Sequence, residues 1–301
     1  MARTLLARGA RGVYVQQVQV KLQQLSIPLD APDGIFGGNT EAALKQYQKL
    51  NALPVTGLVD FDLWPRLTGQ PVPTLEERAL QLTAAIEGHG YTLAVGNFDG
   101  AGLTWGIIGF TVKFGLVQQI LDTVAREHPG MIRSAFVDLT RDLERMRTIP
   151  LEQQVAFCDR LSIPPAKHRL VDPWRIAFDR LGSMSEVQAI QRRIAFAQYM
   201  TPAKRTFRSL GLTTELGLAL CFDIHVQNGS IKRQAMDTIK AARVRSEPEL
   251  RRVIANAVAD QSREAFREDV RRRKLAIATG SGVVHGMTLR LENWGLEDVA
   301  V

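Results

Sequence analysis

The 301-residue chain is poor in the residues that most often carry metal or redox chemistry, with only two cysteines and five histidines. No local spacing among them supplies three or four ligands from one frame, so neither a metal nor any other cofactor is expected. Cys158 and Cys221 lie far apart, each in an apolar stretch, and read as ordinary buried thiols rather than a disulfide pair. No uncharged apolar run approaches the ~18–20 residues of a transmembrane helix. The first dozen residues, interrupted by Arg3, Arg8 and Arg11, lack the apolar core of about 7–15 residues found in a secretory signal. Synthesis in the cytoplasm without a signal peptide is therefore expected. No Gly-rich loop leads into a P-loop lysine, which leaves nucleotide chemistry without support. Internal repeats and low-complexity tracts are absent as well.

What is present describes a globular chain. Hydrophobic residues make up 45% and charged residues 23%, near the averages of folded domains. The length exceeds what one core usually serves and favours two domains. A net charge of +7 implies attraction to polyanions, whether nucleic acid, anionic lipid or an anionic cell envelope. The most basic stretch, residues 243–274, interleaves Glu247, Glu249, Glu264, Glu268 and Asp269 with its cations at helical distances. Intrahelical pairing on solvated faces, the run Arg271-Arg272-Arg273-Lys274 included, accounts for it better than a nucleic-acid stripe. No nucleic-acid partner is expected, electrostatic attraction to an anionic envelope is, and the chain is expected to be a monomer.

Apolar residues at helical spacing mark helices over 13–25 (Val15, Val18, Leu22, Leu25) and 39–50 (Ala43, Leu44, Tyr47), with a third apolar stretch ending at Trp64 and Leu67. Turn residues at Pro32-Asp33-Gly34, Gly37-Gly38, Pro54 and Gly57 separate them, giving a small three-helix domain over 1–69. Residues 70–74, with Pro71 and Pro73, form a linker. A larger domain over 75–301 opens with a helix from Leu75 to Ile86 that places Glu87 at its end, before Gly88 and Gly90. Glycines alternating with Tyr91, Leu93, Val95, Leu103, Trp105, Ile107 and Phe110 predict short strands in a hairpin-like insert over 90–111. The remainder reads as helices almost to the end, broken at Pro129-Gly130, Pro164-Pro165, Pro173, Gly182, Gly211 and Pro248. The fold class is mainly α, with a short β region in the larger domain.

Residues 5–67 resemble the small peptidoglycan-binding domain that accompanies many wall hydrolases, through Leu6, Gly9, Gly12, Val15, Leu22, Asp33-Gly34-Ile35-Phe36-Gly37, Thr40, Tyr47-Gln48, Thr56-Gly57 and Leu63-Trp64. Gly34 and Gly37 are expected to adopt angles that a side chain would penalise, with Phe36 anchoring the turn. The resemblance implies muropeptide binding in a groove near Asp33, Asn39 and Thr40, and peptidoglycan as the partner.

Glycoside hydrolysis usually needs one protonated and one ionised carboxyl group across the scissile bond. Glu87 at an apolar helix end and Asp99 in the turn Asn97-Phe98-Asp99-Gly100 occupy unlike environments suited to unlike roles. The string from Asn97 to Phe110 resembles the catalytic region of the chitosanase family in the lysozyme-like superfamily. That resemblance implies Glu87 as general acid, Asp99 as general base of an inverting reaction, and Thr104 as the residue positioning water. It also implies a supporting role for Asp223 on a buried helix spanning Leu220–Gly229. Asn97, Trp105, His225 and His285 are further candidates for positioning or substrate contact; the last three also have ordinary structural readings as a core ring, a satisfied core histidine and a brace between glycines. Two departures are visible: the stretch between Glu87 and Asp99 is shorter than in chitosanases, and Ala101 stands where they carry a basic residue.

The expectation is a lysozyme-like, muramidase-type peptidoglycan hydrolase acting on the wall or in the periplasm, like a phage endolysin or an injected effector. The rivals are a non-catalytic wall-binding phage tail or baseplate component, and a chitosanase acting on glucosamine polymer.

Overall fold

The computed structural model describes residues 3–88 and 90–301. They form two compact units: Met1–Ile86 together with Tyr199–Val301, and Glu87–Gln198. Among the described residues the architecture is mainly helical with three small antiparallel sheets, in keeping with the fold class read from the sequence. The division between units does not coincide with residues 70–74.

In the first unit the strand Thr4–Leu6 pairs with Val59–Asp60, Leu6 opposite Val59. Helices Val13–Gln24, Gly38–Leu50 and Leu63–Thr68 bury the apolar positions that their periodicity marks, among them Val15, Val18, Leu22, Leu44 and Trp64. Gly34 has the left-handed φ of +72° that favours glycine. Gly37 does not: its backbone is extended, and a Cβ there would meet nothing within 4 Å. Only the first of the two turn glycines is therefore demanded by conformation.

The segment after the third helix is tied down at both ends. Trp64 donates its indole N–H to the Pro71 carbonyl (2.9 Å). Thr74 and Glu77 form a reciprocal capping box, with Thr74 N to Glu77 Oε2 at 2.9 Å and Glu77 N to Thr74 Oγ1 at 3.3 Å. This cap starts the helix Leu75–Glu87.

Helix Glu215–Asn228 is buried on every side from Glu215 to His225, as an all-round apolar helix must be. Thr214 caps it by accepting from Gly217 N (3.1 Å). It packs against Thr201–Ser209 and Arg267–Thr279. Pro173 and Pro248, expected as breaks, lie instead in the first turns of helices Asp172–Gly182 and Glu247–Asp260, where a missing N–H costs nothing. The chain also departs from helix near its end: Ser281–Val284 and Met287–Arg290 form a hairpin. His285 and Gly286 make its two-residue turn, both with positive φ, the geometry that matches strand twist.

Residues from the two ends of the sequence interlock within this unit. Asn293 Nδ2 donates to the Arg8 carbonyl (2.8 Å) and Trp294 Nε1 to that of Arg11 (3.2 Å). Arg3 donates to the Gly295 carbonyl (2.8 Å) and pairs with Glu215. The buried Glu215 carboxylate also takes Arg78 at 2.6 Å.

In the second unit the strands Ala94–Val95, Thr104–Trp105 and Phe110–Thr111 form an antiparallel sheet. Trp105 packs on Phe178 (ring centroids 5.1 Å), which meets Phe136 edge-on at 5.1 Å. Buried Gln191 stitches the sheet's turns, donating to the Tyr91 carbonyl (3.0 Å) and accepting from Ile107 N (3.0 Å). Gly106 has φ +89°, and a Cβ there would lie 2.4 Å from Gln191 Oε1, so any other residue would strain the backbone and displace the Gln191 amide.

Removing the shared carboxylate strands one buried and one partly buried guanidinium. Glu215→Gln is expected to lower the unfolding free energy by about 3 kcal/mol. The urea midpoint should fall at unchanged slope, and an unaltered midpoint would show that the clasp carries no weight.

Candidate active site

Asp99 lies in an exposed turn of the second unit, its Oδ1 accepting from Ala101 N (3.0 Å). The turn is rigidly based because Asn97 uses both ends of its amide. Oδ1 accepts from Gly102 N (2.7 Å), and Nδ2 donates to Asp159 Oδ1 (2.6 Å). The backbone N–H of Asn97 donates to Ser162 Oγ (2.8 Å), and Lys167 grips the Asp159 carboxylate at 2.7 Å. The hydrogen bonds from Lys167 and then Asn97 hold the Asp159 carboxyl below its ordinary pKa. At Gly96 a Cβ would lie 2.4 Å from the Lys167 carbonyl oxygen, so glycine is what lets the two loops meet.

Thr104 is buried in the middle strand, its backbone opposite Val95 on one side and Thr111 on the other. Its neighbour Trp105 is 0% exposed. That corrects the candidacy of Trp105 for substrate contact: alternation along the strand turns this ring into the aromatic core. Glu87 is the half-buried last residue of Leu75–Glu87 and engages in interactions of its own. It and the Asn97–Thr104 segment belong to the same compact unit.

In the first unit Asp223 is 0% exposed. Arg273 reaches its carboxylate through Nη2 (2.6 Å) and Nε (3.0 Å), and Lys274 through Nζ (2.5 Å). Thr83 Oγ1 adds a bond at 3.3 Å. Burial works to raise the Asp223 pKa, but the charges and hydrogen bonds of Arg273 and Lys274 outweigh it and hold the carboxyl far below the usual range. Thr83 stands four residues before Glu87, so the two share a helix face. The Asp223 cluster thus anchors the helix Leu75–Glu87 at Thr83.

The two candidate histidines have structural roles. His225 is buried, donating from Nδ1 to the Gly229 carbonyl (3.0 Å), which leaves Nε2 to accept from the Thr206 hydroxyl (2.9 Å). Burial pushes its pKa down. These bonds satisfy it as a core residue and correct its candidacy for substrate contact. His285 occupies the hairpin turn, where Nε2 reaches the Asp269 carboxylate at 3.1 Å and braces the turn against helix Arg267–Thr279.

In the N-terminal module, Asp33, Asn39 and Thr40 border a shared cavity of about 230 Å³ with Gln19 and Asp30. Gln19 Nε2 donates to Asp33 Oδ1 (2.8 Å) and Thr40 Oγ1 (3.0 Å). The Gln19 hydrogen bond, with that of Ile35 N, keeps the Asp33 carboxyl below its usual pKa. Asn39 donates to Asp30 Oδ2 (2.8 Å). Thr40 is buried, a brace beneath the groove, whereas Asp33 and Asn39 are exposed.

Two sets of supporting residues escape sequence reasoning. Arg273 and Lys274, read as members of a solvated basic run, are wholly buried on Asp223; Arg251 is likewise buried, bidentate on Asp298 at 2.7 Å. Arg271 does follow the expectation, pairing with Glu268 at 3.1 Å. The clamp of Asp159, Ser162 and Lys167 leaves no signal because its partner is a loop some 60 residues earlier. Both cysteines are free and buried. No helix among the described residues is long and apolar enough to cross a membrane.

Residues 11–67 match the family described as a peptidoglycan binding domain. Residues 84–275, more than half of the chain, match the family described as glycosyl hydrolase family 46. Among solved structures, the native chitosanase of Bacillus subtilis aligns with a TM-score of 0.50 and 21% identity, over 68% of this chain and 86% of that one. A family 46 chitosanase of Gynuella sunshinyii, in complex with chitotetraose, aligns at 0.48 and 16% identity, over 69% and 87%. The likeness to the Bacillus enzyme is one of fold.

The depressed pKa of Asp223 gives a signed pH dependence. Its stabilisation is complete above the ordinary aspartate pKa of about 3.9 and is lost as pH falls through the lower folded value. Asp223→Asn is expected to lie below wild type by roughly 3 kcal/mol at neutral pH, since two buried cations lose their counter-charge. In urea titrations the gap should narrow on acidification below about pH 3.9. A gap constant from pH 7 to pH 2 would remove the ion cluster from the account.

Proposed function

The chain belongs to glycosyl hydrolase family 46, and from that premise we propose that it cuts the glycan strand of peptidoglycan by general acid/base catalysis. The observation that carries this reading is the pairing, in one polypeptide, of a peptidoglycan-binding domain over 11–67 with a glycoside hydrolase domain over 84–275. A module that holds the polymer raises the local concentration of bonds available to the enzyme.

Glu87 protonates the glycosidic oxygen as the leaving group departs. Asp99 accepts a proton from the attacking water, Thr104 orients that water, and the anomeric configuration inverts. The exposed setting of Asp99 suits a group that must be in reach of the attacking water. Asp223 acts at one remove, holding through Thr83 the helix that bears Glu87. Asn97 acts similarly on the Asp99 turn through Gly102 and Asp159. Asp33 and Asn39, at the rim of the module's groove, contact the muropeptide. The biological setting that fits is host lysis by a phage endolysin, or attack on a rival's wall by an injected effector.

A second reading is hydrolysis of chitosan, favoured by the activity named for the Bacillus protein. Against it stand the wall-binding module and Ala101, where the chitosanase string carries a basic residue.

Glu87→Gln is expected to reduce release of soluble products from purified sacculi by about 10³-fold, while co-sedimentation with sacculi persists. Unchanged hydrolysis would remove Glu87 from its role, and a wild-type protein that binds sacculi without cutting any glycan would mark a wall-binding component. Mass spectrometry of the digest separates reducing N-acetylmuramic acid, reducing N-acetylglucosamine and anhydro ends. Products from glucosamine polymer alone would assign the protein as a chitosanase.

A further inference from the structure

Phe98, immediately before Asp99, has no part in the reading above, and packing does not account for it. The ring is 47% exposed in a turn whose backbone bonds any polar residue would serve equally well. Leaving so much apolar surface in water forfeits the benefit of burial. Yet the ring is held in place. It stacks on the imidazole of His168, with centroids 4.5 Å apart and planes 26° from parallel.

The two residues are locked together through their backbones. Gly96 N donates to the His168 carbonyl (3.1 Å), and Phe98 N donates to the Gly96 carbonyl (3.0 Å). The bonds of Asn97 to Ser162 and Asp159, with the Lys167–Asp159 ion pair, complete the frame. An exposed aromatic fixed this firmly has already lost the conformational freedom that binding would otherwise cost.

We propose that Phe98, backed by His168, is a sugar-binding platform that stacks on the apolar C–H face of a pyranose ring of the glycan strand, beside the bond acted on at Asp99. The proposal rests on the assignment of Asp99 to the catalytic pair. The ring and that carboxylate belong to consecutive residues, so a glycan placed for attack there brings a neighbouring ring within reach of Phe98. A flat hydrocarbon face presented to a flat aromatic suits a pyranose, whose hydroxyls lie around its rim and leave the C–H face apolar. Stacking of this kind does not depend on which substituents the sugars carry, so the platform would set affinity for the strand and leave the choice of linkage to other contacts.

The test is steady-state kinetics on soluble glycan strands prepared from sacculi and on glucosamine oligomers, scored on whichever the wild-type protein cuts. Phe98→Ala is expected to raise KM about five- to tenfold, the loss of one aromatic stacking contact, with kcat altered less than twofold. Phe98→Trp should return KM to within about twofold of wild type, because any large ring restores the platform. An unchanged KM in Phe98→Ala overturns the proposal, as does an equal loss of kcat in both variants, which would make the ring a structural strut. If Glu87→Gln abolishes cutting while Phe98→Ala matches wild type, the platform fails and the catalytic assignment stands. If Glu87→Gln cuts as fast as wild type, or neither polymer is cut, the catalytic assignment fails and takes the platform with it.

Discussion

A carboxylate with no access to water must find its counter-charge inside the protein, and the first unit is organised around that demand at Asp223. Burying an ion is expensive enough that a lone Asp there would not stay charged. Arg273 and Lys274 meet the cost from the facing helix Arg267–Thr279, and Thr83 contributes from Leu75–Glu87. Three helices far apart in sequence are thereby fixed at one point. Lys274 uses its remaining capacity on Gln227 (2.6 Å), so the ammonium is satisfied beyond its ion pair. Hydrophobic packing alone leaves a helix such as Leu75–Glu87 free to rotate or slide slightly; a directional bond to Thr83 does not.

The Asp99 turn follows a different logic. Its carboxylate remains in water while the turn around it is immobilised by amide and hydroxyl bonds from Asn97, Ser162 and Asp159. Exposure leaves the group in reach of water, and the scaffold gives it a defined position. Glycine at 96 is the steric condition for that scaffold, because a Cβ there would fall 2.4 Å from the Lys167 carbonyl oxygen.

Local features of the sequence carried most of the fold. The periodicity around Leu82 and Ile86, the turn residues from Gly96 to Gly102 and the capping box at Thr74 and Glu77 are all written within a few residues. What remained hidden was long-range. Arg273 and Lys274 look like their neighbours Arg271 and Arg272, and only the presence of Asp223 some 50 residues earlier distinguishes buried cations from solvated ones. His225 and Trp105 carry chemistry that invites a functional role, but the helix and strand that bear them point both side chains inward. The hairpin Ser281–Arg290 was masked because its turn uses His285 in a left-handed conformation, and histidine is not the usual signal for one.

The interlocking of the chain's two ends imposes an order on biosynthesis. Arg3 meets the carbonyl of a residue 292 positions later, and the entropy of closing so long a loop is recovered only when both partners exist. A nascent polypeptide halted short of residue 273 already contains Glu87, Asp99 and Thr104, but not the cations that hold Asp223 and, through its bond to Thr83, the helix Leu75–Glu87. The ribosome therefore delivers the carboxylates of Glu87 and Asp99 well before it delivers the cations that fix Asp223.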